Sequence, residues 1–97
     1  ERLDMARAGL VVASVGLGAD GAITRGPDVV SRGIAPQADA ERLARGAAAE
    51  AKAALAVMPV AARADREAVR EELRRAVRRF YNRERGFKPV VLVIADS

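Results

Sequence analysis

The clearest pattern in the chain is a helical stripe near its C-terminal end. Val69, Leu73, Ala76, Val77 and Phe80 fall at i, i+4, i+7, i+8 and i+11, the spacing that puts apolar side chains on one face of an α-helix. Asp65 stands where an N-cap would, and Gly86 suits a stop just past the last turn. These positions predict a helix from Asp65 to about Arg83. A second stripe precedes it: Leu43, Ala47, Ala51, Ala54, Leu55 and Met58 recur at helical spacing between Pro36 and Pro59. It predicts a helix from about Ala38 to Val57, with Asp39 placed to favour the positive end of the dipole. Only Val60 to Ala64 separates the two.

The remaining apolar runs are short and β-branched. Ala8 to Val15 reads as a strand, and Asp20-Gly21 after it as a hairpin signal within the turn Gly16 to Gly21. A second strand starts at Ala22 to Thr24, is interrupted at Gly26-Pro27, and resumes from Asp28 to Ile34. Val90 to Ile94 reads as the last strand. The order β-β-α-α-β predicts an α+β two-layer sandwich, in which two antiparallel helices cover one face of a small three-stranded mixed sheet. The last strand then runs parallel to the first, and it sits beside either the first or the second. One feature conflicts with a sheet covered on a single side. Leu10 to Ala13 and Val90 to Ile94 lack polar alternation, so both of their faces are apolar. Two helices cannot cover both faces, and an open aliphatic face is an aggregation hazard. Leu10, Val12, Val91 and Val93 are therefore candidate interface residues, against a second copy or the rest of a parent protein. The plainer reading is a face of small, partly exposed side chains.

Composition narrows the chemistry. The chain has 97 residues, no Cys and no His. That length supports one domain that buries roughly 60–65% of its unfolded surface, and no deep cleft. The missing His removes the commonest general base and neutral metal ligand, and the missing Cys removes thiol chemistry and zinc-finger spacing. No catalytic, cofactor-binding or metal-binding residue is expected. The opening Glu1-Arg2-Leu3-Asp4 suggests a piece cut from a longer protein, so 1–97 is read as a single accessory domain. No membrane span or leader is read from the sequence, and cytoplasmic residence is the default expectation.

Gly16-Leu17-Gly18-Ala19-Asp20-Gly21 matches the G-x-G-x-x-G dinucleotide pattern, but a strand rather than a helix follows it. The pattern needs a helix N-terminus to hold the pyrophosphate, so a Gly-rich hairpin loop is the better reading. The net charge is +4, and arginines crowd the second helix. Arg70, Arg74 and Arg78 share a face, which makes them candidate RNA contacts. The plainer reading is a solvated face partly neutralised by Glu67, Glu71 and Glu72. No aromatic residues are interleaved with these arginines, which argues against a base-stacking platform.

Pro27-Asp28-Val29-Val30-Ser31-Arg32-Gly33-Ile34 resembles the P-D-hydrophobic-hydrophobic-S-R-G-hydrophobic segment of the ribonuclease J C-terminal domain. Gly9-Leu10-Val11-Val12 is similar to that family's opening strand, and Lys88-Pro89-Val90-Val91-Leu92-Val93-Ile94 to its closing one. Val90 and Val93 stand where the family often has methionine and proline. The motif positions are thus Pro27, Asp28, Ser31, Arg32, Gly33, Lys88 and Pro89. The resemblance implies a parent enzyme with metallo-β-lactamase and β-CASP domains. Such an enzyme cleaves RNA in maturation and decay, 5′-to-3′ exonucleolytically and endonucleolytically, at a two-metal centre that is usually zinc. Its metal ligands lie in the β-lactamase domain, so none is carried by this chain. The implied role here is a non-catalytic domain that promotes oligomerisation and full nuclease activity, with partners in a second copy and the parent's catalytic domains. The alternative is a stand-alone RNA-binding module that uses the Arg-rich second helix.

Overall fold

The computed structural model of the chain describes residues 9–33, 37–86 and 89–96. Three strands, β1 (Leu10–Leu17), β2 (Ile23–Arg32) and β3 (Val90–Asp96), form one sheet in the order β2-β1-β3. β1 pairs antiparallel with β2 and parallel with β3. The last strand therefore lies beside the first, which settles the alternative that the sequence left open. The helices are α1 (Gln37–Ala56), the single turn α2 (Val60–Arg63) and α3 (Arg66–Arg85). α1 packs over β2 and α3 over β3, with α1 and α3 side by side. The α+β two-layer sandwich and its β-β-α-α-β order stand, with one extra turn of helix between the long helices.

Two boundaries differ from expectation. β1 runs on through Gly16 and Leu17, because Leu17 is apolar and only 1% exposed and so belongs to the core. The tight turn begins at Gly18: the Gly18 N–H donates to Ala22 O at 2.8 Å, and the Ala22 N–H to Asp20 Oδ1 at 3.0 Å. β2 is continuous across Gly26-Pro27, whose peptide bond is cis. A register shift against β1 between Ser14 and Gly16 absorbs the irregularity. An edge strand also tolerates a proline that donates no ladder hydrogen bond. Ala8, Ile34 and Pro36 lie outside the described residues.

The helices follow their stripes. Asp65 caps α3, its Oδ1 accepting from Glu67 N at 3.0 Å and Ala68 N at 3.4 Å. Gly86 closes the helix in the left-handed conformation, its N–H on Asn82 O at 2.9 Å. Asp39 and Arg85 meet at 3.5 Å, as do Glu50 and Arg83 at 3.4 Å. The start of α1 thus lies beside the end of α3, and the two run antiparallel. Val11, Ala13, Val15 and Leu17 of β1, Leu43 and Leu55 of α1, and Leu73, Val77 and Tyr81 of α3 form one core. It is aliphatic except for Phe80 and Tyr81, whose rings meet edge-on at 5.6 Å. Dispersion among close-packed aliphatic groups is individually small and collectively large.

Arg63 ties the pieces together. Its Nε donates to Gly21 O at 3.0 Å, and its Nη1 to Leu55 O and Met58 O, both at 3.2 Å. One guanidinium thereby joins carbonyls at and just past the end of α1 to the β1–β2 hairpin tip. Gly21 makes the close approach possible. A Cβ there would sit 2.9 Å from both Val60 O and Ala64 N. The Gly-rich loop is thus a hairpin tip docked on α2, as its sequence context suggested.

Candidate functional site

The sheet has one covered and one open face. Even-numbered residues of β1 point away from the helices, because Val11, Ala13 and Val15 fill the core. Register then assigns the other strands. Val12 pairs with Val30 on β2 and with Leu92 on β3; Leu10 pairs with Arg32 and Val90; Ser14 pairs with Asp28 and Ile94. Residues paired across a ladder share a face. The open face therefore carries Leu10, Val12, Val30, Val90, Leu92 and Ile94. Val30, Leu92 and Ile94 are 56%, 52% and 50% exposed. Asp28 and Arg32 stand on its rim on one side. On the other end the Arg25–Asp96 ion pair closes it, 2.5 Å from Nη2 to Oδ1.

Of the four candidate interface residues, Leu10 and Val12 lie on the open face, whereas Val91 and Val93 do not. Val91 is a buried core residue and Val93 packs against the core from the helix side. The parallel register matches Leu10 with Val90, so alternation sends Val91 and Val93 inward with Val11 and Ala13. Their neighbours Val90, Leu92 and Ile94 take their place outside. A strand apolar at every position carries no parity signal, and only the register supplies it.

Pro27, Ser31, Gly33 and Pro89 of the motif build structure. Pro27 and Pro89 are buried. Ser31, paired with Val11, faces the helices, where its side chain engages the Tyr81 hydroxyl. Burial pushes the Tyr81 phenol up, and the Ser31 interaction works against that shift. Gly33 holds φ at +77°, in the left-handed region that favours glycine. Asp28 and Arg32 are exposed, and Arg32 makes no ion pair among the described residues. Lys88 lies outside the described residues. Asp28, Ser31 and Arg32 also line an open groove of about 610 Å³ between the free edge of β2 and the Ala40, Ala44 and Ala48 side of α1.

The three arginines proposed from the sequence lie on α3 but differ in circumstance. Arg70 pairs with Glu67 at 3.4 Å, and Arg74 pairs with Glu71. Arg78 makes no ion pair among the described residues. Together with Arg75, Arg79 and Asn82 it lines a hollow of about 240 Å³. Among the described residues no group of three His, Cys, Asp or Glu side chains could hold a metal ion, and no helix is long and apolar enough to cross a membrane.

Sequence reasoning missed Arg63 and the outward set on β3. Arg63 follows a helix end and a proline turn, where a cation near open carbonyls is favoured. That placement is a general preference and does not name a partner.

No curated protein matches the chain. The family model for the ribonuclease J C-terminal domain matches residues 1–96. That span takes in the opening hairpin, the Pro27-to-Gly33 segment, both long helices and the closing strand. The chain therefore belongs to the ribonuclease J C-terminal domain family.

Proposed function

We propose that this chain is a non-catalytic assembly domain of a ribonuclease J-like, zinc-dependent nuclease of the cytoplasm. In this reading it self-associates through the open sheet face and thereby supports the full RNA-cleaving activity of its parent. The observation that carries the reading is the transverse row Val30–Val12–Leu92, with Ile94 and Val90 beside it. These are aliphatic groups of which three are half exposed. Burying apolar surface of this kind contributes roughly 25 cal/mol per Å² before the costs of association. The rim carries both signs of charge, through Asp28, Arg32, Arg25 and Asp96. A self-complementary two-fold contact uses such a rim well, because the same patch serves both partners.

The test is a parent enzyme carrying Val30→Lys and Leu92→Lys. Both positions are exposed, so the fold tolerates the change, and lysine blocks face-to-face packing. The expected result is a smaller assembly with reduced RNA cleavage. An assembly and activity equal to the unaltered enzyme would contradict the proposal.

A further inference from the structure

We propose that the solvent face of α3 binds the phosphate backbone of a single-stranded polynucleotide, through Arg75, Arg78 and Arg79 and without regard to base sequence. Between positions 74 and 85 the chain has six arginines and one glutamate. The carboxylates near them are shared. Glu71 serves both Arg74 and Arg75, and Glu50 serves both Arg79 and Arg83. One negative charge set against two guanidiniums leaves the Arg74–Arg75 pair net positive, while Arg83 also meets Glu84 at 3.5 Å. Arg78 has no ion pair among the described residues. The side chains of Arg75 and Arg79 are 66% and 54% exposed, so their donors reach solvent.

Geometry gathers this charge. Arg75, Arg78, Arg79 and Asn82 line one hollow of about 240 Å³. Arg78 also borders a second, of about 350 Å³, with Arg74, Pro89 and Val90. The two hollows meet at Arg78, the guanidinium with no carboxylate of its own. Planar guanidinium forks make paired hydrogen bonds to phosphate oxygens, and Asn82 adds an amide donor.

The lining favours a polynucleotide over an acidic protein. A protein interface needs an apolar, usually aromatic, centre. The Arg75–Arg78–Arg79–Asn82 hollow contains no apolar side chain. Phe80 and Tyr81 are buried beneath α3, so they offer no stacking platform and leave charge as the recognition element. None of the open-face residues lines the Arg75–Arg78–Arg79–Asn82 hollow, so binding there and assembly use different side chains.

The test is binding of a fluorescent oligouridylate to the whole chain across a salt series. Three phosphate contacts predict a slope of log affinity against log salt of roughly −2 on a single strand. Arg75→Gln, Arg78→Gln and Arg79→Gln together should weaken binding by tenfold or more and flatten most of that slope, with an unchanged unfolding midpoint. Arg70→Gln, which removes a cation held by its own glutamate outside the hollow, should change affinity less than twofold. Absence of binding at low salt, or a triple variant that binds like the unaltered chain, would overturn the proposal. So would a polyglutamate of equal charge that competes as well as the RNA, which would assign the face to an acidic protein instead.

Discussion

Arg25 and Asp96, on the two edge strands of the sheet, meet directly above Gly16 of the central strand. Gly16 pairs with Arg25 on one side and Asp96 on the other, and the bridge of 2.5 Å passes over the position where any other residue would place a side chain. A Cβ on Gly16 would sit 2.8 Å from Thr24 Oγ1 and 3.1 Å from Arg25 Cβ. The two substitutions at this crossing should therefore differ in cost. Asp96→Asn removes a half-exposed ion pair and should cost less than about 1 kcal/mol, falling further in salt. Gly16→Val forces β2 aside and should cost about 1–3 kcal/mol. Urea unfolding of both variants decides the order; equal costs would mean that the bridge, and not the space beneath it, matters.

A second close approach joins the helices. A Cβ on Gly46 of α1 would fall 2.5 Å from Phe80 Cζ and 2.9 Å from its Cε1. The ring is buried, and Arg83 covers it with its guanidinium carbon 5.5 Å from the centroid. In an exposed helix, alanine would beat glycine by about 1 kcal/mol. Here Gly46→Ala should destabilise instead, by about 1–3 kcal/mol. In the Phe80→Leu background the same change should cost less. A double-mutant cycle reads the coupling directly.

Arg63 reaches three carbonyls, one at the hairpin tip and two at and just past the end of α1, which only a rigid fork with several donors can do. Arg63→Lys should cost about 1–2 kcal/mol despite keeping the charge, and Arg63→Ala more. Amide exchange should quicken at Gly18 to Ala22, the hairpin tip that Arg63 anchors. A change confined to α2 would show that the hairpin holds itself.

Tyr81 makes stability fall at high pH. Its phenol is raised above its ordinary value by burial, with Ser31 opposing. The folded state then holds the proton more tightly than the unfolded one. This contribution is complete below about pH 10, the ordinary tyrosine value, and is lost as pH rises through the folded pKa. Thermal midpoints should drop more steeply above that pH in the unaltered chain than in Tyr81→Phe. The chain has one tyrosine, so tyrosinate absorbance reports this residue alone. Parallel midpoint curves for the two proteins would contradict the assignment.

Much of this architecture is legible in the sequence. The stripe from Val69 to Phe80, the Asp65 cap and the Gly86 stop determine α3, because helical periodicity and caps are local signals. The two apolar faces of β1 and β3 also announce an uncovered sheet face. What the residues do not reveal is parity. Val90 to Ile94 is apolar throughout, so Val91 and Val93 look equivalent to Leu92 and Ile94 until pairing with β1 fixes the register. For Arg70, Arg74 and Arg78, by contrast, spacing gives both the common face and the i,i+3 carboxylates, Glu67 and Glu71, that hold two of them. Gly16, Gly46 and Arg63 matter through contacts with residues far along the chain, which no local pattern displays.

The most direct measurement is sedimentation equilibrium of this chain across a wide concentration range, beside the Val30→Lys, Leu92→Lys variant. The sheet-face account predicts a reversible dimer or larger species for the unaltered chain and a monomer for the variant, with both equally folded. A strict monomer at the highest concentration, or an assembly that the lysines leave intact, would contradict it.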